Sequence, residues 1–411
     1  MSRFEKRQRA QRAAAVAGVD AGKRKHAIAV RPRGGEDSRP VEFSTTRAGF
    51  ETAVRTILEN APGARPEDIL VGIEFAGNYG FTFAHFLRER GFRVVNVLGA
   101  HSRRWKEVVH NQGLKSDRKD ALTITDMVAQ GAFVSFPFLE PVYADLRCLV
   151  SMRERLTKLR SATIARTKDV LQVVWPEFEH HFPSFGKKTP LAILHAFPGP
   201  EAFLAAPKRR VLRVIREASR GHLGESAYEE LRAAARESVA LPGAQGVLAQ
   251  EIRLQLELLA AYERQIAEVD RLMTERLEHA PEAPALLSIP KLGPVTAAVF
   301  LGSIGDPRAY DSSRQALKVG GLSLVVSESG MQRGKPRLSK RGRPELRRQA
   351  YLFAVRSVRR GGLFRADYER ALAANPGTPK KKILVAIARK AVRLMFSLAR
   401  ERRLYSVEPP R

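Results

Sequence analysis

Apolar positions recur with two different periods along the chain, and the change of period separates an α/β part from a helical part. The runs VAGVDA, HAIAVRP and VEFSTT predict three successive strands, the first two joined by a glycine-containing turn. RAGFETAVRTILENA and GFTFAHFLRERG have helical spacing, the second ending at Gly91, and ILVGIEF and FRVVNVLG predict further strands. Three strands followed by alternating helices and strands predict an α/β domain over residues 1–140.

Two long amphipathic stretches follow, and they predict a helical region over residues 141–280. Their stripes are Leu146, Leu149, Met152, Leu156 and Leu159, and then Ile252, Leu256, Leu259, Ile266, Val269 and Met273. This pattern favours a helical hairpin or a coiled-coil arm, which either packs within one chain or forms a dimer. The prolines and small residues of HAPEAPA, residues 279–285, predict a linker, and a mainly helical domain is expected over residues 285–400.

Charge and composition narrow the classes of partner. Of the 411 residues, 71 are Lys or Arg and 43 are Asp or Glu, which leaves a formal net charge of +28. With 44% apolar residues the chain is globular, and the excess of cations indicates a phosphate backbone as partner, with an anionic membrane surface as the competing explanation. We expect no membrane span, because no run of eighteen apolar residues occurs, and no cleavable signal pattern is present.

The number of cysteines excludes two kinds of structural crosslink. Cys148 is the single cysteine, so an intramolecular disulfide and a thiolate zinc cluster are excluded. This usage fits a cytoplasmic protein, and we expect the thiol to be buried as an apolar filler.

Four acids stand out against this basic background. Asp20 and Glu74 each end a predicted strand, whereas Asp117 and Asp120 open a predicted helix with the i, i+3 spacing that places both on one face. Carboxylate oxygens are hard ligands suited to Mg²⁺, and two such ions can clamp the attacking and leaving oxygens of a phosphodiester. Any one acid could instead be a helix cap or a surface charge.

Two fold families place acids in this way. Sugar-kinase and actin-like ATPases carry an acid in a strand–glycine–strand turn, as GVDAGK does here, but they also need phosphate-binding glycine loops that we do not find downstream. The later strand-end Glu74 and the acidic pair at a helix start match a ribonuclease H-like layout better.

The C-terminal part carries two motifs suited to phosphate. LSIPKLGPVTAA resembles a helix-hairpin-helix turn, in which backbone N–H groups at a helix start bind phosphate without reading sequence. Lys291 stands where the usual first glycine would be, and Gly293 follows it. Next comes a glycine-rich basic segment whose candidate nucleic-acid contacts are Arg333, Lys335, Arg337, Lys340, Arg341 and Arg343. Ser329 at its head is either a turn cap or a nucleophile on a phosphodiester, with Ser327 as the second choice.

Together and in this order, these elements resemble the DEDD transposases of the IS110 group. The resemblance runs from about Val16 to Phe396 and is weakest between residues 175 and 245. The matching elements are Gly18-Val19-Asp20-Ala21-Gly22-Lys23 with His26, then Glu74 with Gly77 and Tyr79, then Lys115-Ser116-Asp117 with Asp120-Ala121, then Ile289-Pro290 with Gly293-Pro294, Ala316 to Gly321, Ser329-Gly330 and Leu338 to Gly342. Phe75-Ala76 and Lys291 depart from the group's Thr-Thr and Gly.

The resemblance implies more than the residues alone indicate. It implies a RuvC-like, ribonuclease H-fold N-terminal domain in which Asp20, Glu74, Asp117 and Asp120 hold Mg²⁺. It also implies a coiled-coil region for assembly into a dimer or tetramer, and a C-terminal transposase domain whose serine, best matched by Ser329, becomes covalently linked to DNA. Members recombine element ends with target DNA, guided by an element-encoded RNA. We therefore expect DNA and a guide RNA as partners and a nucleoid-associated protein of the bacterial cytoplasm.

Two other functions stay open at the sequence level. A metal-only nuclease such as a junction resolvase would leave free 3′-hydroxyl ends and would not need Ser329. A non-catalytic nucleic-acid-binding protein would carry the four acids as structural groups.

Overall fold

The protein is described here by a computed structural model covering residues 3–75, 77–109, 117–136, 138–182, 184–241, 246–326, 328–329, 332–333, 336–374 and 376–406. For Arg3, Val108, Val109, Asp117 and residues 328–333 within these ranges, the backbone alone is described. The chain divides into two compact units, residues 1–138 and 139–411. The finer three-domain division stays a prediction.

The N-terminal unit is built on a mixed six-stranded sheet in the order β3-β2-β1-β4-β5-β6. Strands β1, β2 and β3 pair antiparallel, β1, β4 and β5 pair parallel, and β6 is antiparallel to β5. The strands are β1 (Ala15–Ala21), β2 (Lys25–Pro32), β3 (Val41–Ser44), β4 (Ile69–Phe75), β5 (Arg93–Val97) and β6 (Val134–Ser135). The expected strands and the α/β class are confirmed.

Helices cover both faces of this sheet. They are α1 (Arg3–Arg12), α2 (Arg47–Glu59), α3 (Phe81–Glu89), α4 (Gly99–Val109) and α5 (Asp117–Ala129). On one face, α2 and α3 pack on the strands through Phe50, Ile57 and Phe83. On the other face, α1 and α5 do so through Ala10, Ile124 and Val128. Helix α1 was not predicted, because its sequence RFEKRQRAQR contains few apolar positions.

The C-terminal unit is mainly helical and starts with a long antiparallel pair. Its helices are α6 (Pro141–Val174), α7 (Phe178–His181), α8 (Lys188–Ala196), α9 (Pro200–Ala205), α10 (Lys208–Ser219), α11 (Glu225–Arg236), α12 (Val247–Glu278), α13 (Ala283–Leu287), α14 (Pro294–Ile304), α15 (Ser313–Val319), α16 (Pro344–Ser357), α17 (Arg365–Ala374) and α18 (Lys380–Glu401). Short strands lie between α15 and α16: β7 (Leu324–Val325), β8 (Glu328–Ser329), β9 (Gln332–Arg333) and β10 (Arg337–Leu338).

The long helices α6 and α12 pack on each other within the chain, which is one of the two arrangements their stripes allowed. The ion pairs Arg153–Asp270 and Arg160–Glu263 join them along their length. One end of the pair lies in a core with α14, α16 and α18, and the other end lies in a second core with α8 and α10. Assembly of the chain through this region stays a prediction.

Two expectations for this unit are wrong. Residues 279–285 are not an exposed linker: Ala280, Ala283 and Ala285 are buried in the core, and Glu282 is 0% exposed with hydrogen bonds from Tyr143 and Arg402. Small side chains there permit close packing, which a composition of Ala and Pro does not distinguish from a linker. Cys148 is exposed, because it lies on the face of α6 opposite the buried Leu146 and Val150.

Within the described ranges, no helix combines the length and the apolar content needed to cross a bilayer.

Candidate functional site

Asp20 and Glu74 lie side by side at the carboxyl ends of two parallel strands. Each is the register partner of the other across β1 and β4. Gly18 and Gly72, two residues earlier on the same strands, face α5, so by strand alternation both carboxylates are on the α5 face. Both residues are half-buried, and Asp20 has interactions of its own in the fold.

Helix α5 brings the second acidic pair to the same edge of the sheet. A Cβ at Gly18 would lie 2.2 Å from the Thr125 nitrogen and 2.6 Å from the Ala121 oxygen, so α5 rests directly on β1 at this glycine. Ala121 packs on Ala27, which is the register partner of Asp20. Asp120, the residue before Ala121, is therefore held near the Asp20 end of β1.

Two of the acids lie next to positive charge, one beside a lysine and the other beside the start of a helix. The Lys106 ammonium on α4 lies 2.5 Å from an Asp120 carboxylate oxygen, and the Asp120 side chain is 13% exposed. A Cβ at Gly99, the first residue of α4, would lie 2.7 Å from Glu74 Oε1. The Glu74 carboxylate thus sits against the start of a helix, where the helix dipole favours negative charge.

The side chains that are described do not converge into a metal cluster. Among them, no group of three or more His, Cys, Asp or Glu is arranged to hold an ion. Asp117 begins α5, but its side chain lies outside the described part. The donor chemistry nevertheless suits a hard divalent cation, since the oxygens are carboxylates and Asp120 already accepts a cation.

His26 of the same motif has a different place. It lies on β2 against Phe43 and Phe83, on the face covered by α2 and α3, with its Nε2 2.9 Å from Thr45 Oγ1. Burial lowers the pKa of His26, which is 3% exposed. His26 is therefore a core residue and does not meet the acids.

The basic segment is held more firmly than its glycines suggest. Lys340 N donates to Gly321 O at 3.0 Å, and Arg343 N donates to Val319 O at 2.7 Å. Gly342 permits this approach, since a Cβ there would lie 2.3 Å from Val319 O. The segment predicted to be a loop thus contains short ladders, β7 with β10 and β8 with β9.

The candidate serine and cations are placed by these ladders. Ser329 ends β8 opposite Gln332. Arg337, Lys340 and Arg341 are exposed, and Arg343 is half-buried at the start of α16. The side chains of Ser329 and Arg333 are outside the described part, as are Ser327 and Lys335 entirely.

A short turn, residues 288–293, joins α13 to α14. Lys291 adopts a φ of +65° although it is not glycine, so the turn stays tight in spite of the substitution. Gly293 then caps α14 with extended backbone. Lys291 is exposed and its Nζ donates to Arg360 O at 3.3 Å.

Two further features of the structure have no counterpart among the sequence-based predictions. The pairing of Lys106 with Asp120 joins different helices, so nothing local predicts it. The other is the exposed basic face of α10, formed by Arg209, Arg210, Arg213 and Arg216 around a groove of about 890 Å³. The spacing of three to four residues in KRRVLRVIRE could have revealed this face.

Two protein-family models match the chain, one over the acidic motifs and the other over the basic motifs. A model of DEDD transposases of the IS110 type matches residues 17–176, and a model described as the transposase IS116/IS110/IS902 family matches residues 283–369. The two matches follow the order of the acidic and basic motifs and together cover more than half of the chain.

Full-length relatives are insertion-element proteins. The chain is 27% identical to an uncharacterized 44.8 kDa protein of insertion element IS116 from Streptomyces clavuligerus, over 96% of each chain. It is 24% identical to an uncharacterized 42 kDa protein of insertion element IS900 from Mycobacterium paratuberculosis, over 95% of this chain and 96% of that one. A probable family 20 transposase from Pseudomonas aeruginosa is 27% identical over 40% of this chain and 48% of its own. The chain belongs to the IS110/IS116 family of DEDD transposases.

Proposed function

We propose that this transposase cuts and rejoins DNA at element ends and target by combining a Mg²⁺-binding acidic site with a serine nucleophile. The observation that carries the proposal is the register pairing of Asp20 with Glu74 on the face where α5 begins. The sheet order, with three antiparallel strands followed by parallel ones, supports a ribonuclease H-like, RuvC-like interpretation of the unit.

The acids would hold the metal in a defined arrangement. Asp20 and Glu74 would supply oxygens from adjacent strands, and Asp117 and Asp120 would supply oxygens from one turn of α5. The Lys106 ammonium compensates the charge of the Asp120 carboxylate, and this ion pair would have to open for Asp120 to act as a ligand. Bound Mg²⁺ supplies Lewis-acid stabilisation of charge on the phosphoryl oxygens.

Ser329 is the proposed nucleophile. Its Oγ bonds to phosphorus while the bond from phosphorus to one bridging oxygen breaks; the hydroxyl proton is lost and the departing oxygen takes one up. Arg337, Lys340 and Arg341 carry positive charge close by in sequence, suited to the charge that develops on the phosphoryl group. Rejoining reverses the step with a different DNA hydroxyl as the attacking group.

The same proposal includes oligomerisation of the protein and guidance by an RNA. Two or four copies would act together on the DNA ends, and an RNA transcribed from the element would select the sites. The net charge of +28 supports binding of nucleic acid in general.

A supercoiled plasmid carrying the gene with its native flanks tests the proposal, with Mg²⁺ and with or without RNA transcribed from those flanks. We expect an SDS-resistant protein–DNA adduct from the wild type and none from Ser329→Ala, with Ser327→Ala and Ser339→Ala as matched controls that retain it. Asp20→Asn should abolish recombination. An undiminished adduct from Ser329→Ala would refute the serine assignment, and free 3′-hydroxyl ends without adduct would favour the metal-only nuclease.

A further inference from the structure

Helix α4 lies against two of the four acids, at two points along its length. Its first residue, Gly99, is close to Glu74, since a Cβ there would come within 2.7 Å of Glu74 Oε1. Further along the helix, the Lys106 ammonium pairs with Asp120 on α5. The position of this one helix therefore sets the charge that surrounds Glu74 and Asp120.

Few apolar contacts hold α4 in that position. Over residues 99–107, only Ser102 is buried, three residues are half-buried and the others are exposed. In the same stretch, Trp105 is the one apolar side chain that packs on the hydrophobic core between α5 and the sheet. A helix with so little buried apolar surface opens readily unless polar contacts hold it.

Asp126 on α5 provides such a contact. Trp105 Nε1 donates to Asp126 Oδ2 at 2.9 Å, and Arg31 Nη1 on β2 donates to Asp126 Oδ1 at 3.2 Å. Arg31 is itself fixed by two hydrogen bonds to Asp37, at 2.7 and 2.8 Å. One carboxylate thus joins α4 to α5 and to the sheet, through hydrogen bonds that its charge strengthens.

The two residues of α4 that contact α5 are neighbours in the sequence. Trp105 and Lys106 are consecutive, and they reach Asp126 and Asp120, which lie six residues apart on α5. Six residues of helix rise by about 9 Å, so α4 is held against α5 at two separate points. Because Trp105 directly precedes Lys106, the hydrogen bond to Asp126 restricts where the Lys106 side chain can reach.

We propose that Asp126 is a positioning residue of the acidic site. By holding Trp105, it keeps Lys106 against Asp120. The same contact keeps the start of α4 against Glu74. Both oxygens of Asp126 already accept N–H donors, so this residue acts through α4 and not as a further metal ligand. The inference rests on the proposed function for the role of the acids, but the link between Asp126 and Lys106 can be measured without metal or DNA.

Acetylation of Lys106 measures whether α4 is in place. The full-length protein is treated with an N-hydroxysuccinimide ester, and each lysine is followed by mass spectrometry. The Lys106 side chain is 28% exposed and engaged by Asp120, so it should react slowly in the wild type. Trp105→Phe keeps an aromatic ring but removes the N–H donor, and Asp126→Asn removes the charge of the acceptor. Each substitution should accelerate acetylation of Lys106 about fivefold.

Two controls separate this link from a general loosening of the fold. Lys25, which pairs with Glu42 between β2 and β3, should react at the same rate in every variant. Glu51→Gln removes an ion pair with Arg90 on the other face of the sheet and should leave Lys106 as slow as in the wild type. An unchanged Lys106 rate in either variant of the α4 contact, or an equal acceleration at Lys25, would overturn the proposal.

Binding of Mn²⁺, measured by calorimetry, tests whether the link reaches the acids. Asp126→Asn alone should raise Mn²⁺ affinity about threefold, because Asp120 is released from its ammonium partner. In a Lys106→Met background the same substitution should change the affinity by less than about twofold, since both residues act through one chain of contacts. Equal changes in the two backgrounds would give Asp126 a role independent of Lys106 and overturn the proposal. If the wild type binds no Mn²⁺, the proposed metal site fails, and the acetylation rates alone decide the role of Asp126.

Discussion

Alanine at Gly18 tests the contact that sets α5, and with it Asp117 and Asp120, against β1. The new Cβ would meet the Thr125 nitrogen at 2.2 Å and the Thr125 hydroxyl at 2.6 Å. The obstacles are backbone atoms and a hydroxyl that is itself bonded to Ala29 O at 3.1 Å, so no flexible side chain can turn away. Helix α5 must then move from the sheet by about 1 Å to restore ordinary contact distances.

The size of the effect follows from overpacking. Inserting a methyl group into a well-packed interior costs about 1–3 kcal/mol, and because the obstacle here is backbone, we expect Gly18→Ala to cost about 3 kcal/mol. If the free energy of unfolding falls by about 2 kcal/mol per molar urea, the urea midpoint for unfolding of the N-terminal unit should fall by about 1.5 M. The same displacement moves Asp120 relative to Asp20, so recombination should also decline at temperatures where the variant is folded.

Trp105 provides the assay. Its indole on α4 donates to Asp126 on α5 at 2.9 Å, so its fluorescence reports this packing. Only one other tryptophan is present, Trp175, and a Trp175→Phe background therefore isolates the signal. Gly224→Ala is the matched control, because no atom lies within 4 Å of a Cβ there. A Gly18→Ala midpoint equal to that of the background would refute the close approach of α5 to β1.

Three other perturbations give distinct outcomes. Lys106→Met frees Asp120 from its ammonium partner, so this variant should bind Mn²⁺ about fivefold more tightly in calorimetry. The control is Lys25→Met, which removes the ion pair with Glu42 and should bind Mn²⁺ as the wild type does. Equal Mn²⁺ affinities of Lys106→Met and the wild type would contradict the role of Lys106. Burial lowers the pKa of His26, so the neutral ring stabilises the fold fully above the ordinary pKa of 6.5, and this stabilisation is lost as the pH falls through the lowered pKa. His26→Phe should therefore reduce the fall in the urea midpoint of unfolding between about pH 7 and pH 5. An unchanged fall in the midpoint would show that other groups cause the pH dependence. Arg213→Glu combined with Arg216→Glu reverses charge on the exposed face of α10 and should lower the salt slope of nucleic-acid binding by about two; an unaltered slope would exclude this face from contact.

Local pattern predicted the elements of the N-terminal unit well and the contacts between elements poorly. Short apolar runs predicted the strands that contain GVDA and ILVGIEF. The helical spacing of apolar residues predicted the helix RAGFETAVRTILE. Residues 279–285 and Cys148 were misjudged, because burial depends on what packs against a segment. The four acids could be named one by one, but only the register of β1 with β4 places Asp20 beside Glu74.

By itself, the sequence determined the α/β and helical classes, the basic charge, the identity of the candidate acids and serine, and the family resemblance. These are properties of composition, period and motif, which need no knowledge of distant contacts. The tertiary structure decided that Lys106 faces Asp120, that His26 belongs to the opposite face of the sheet, and that Trp105 and Arg31 meet at Asp126. Each of these pairs residues that are far apart in the chain or on different elements, and only the packing of helices on strands and on one another brings them together.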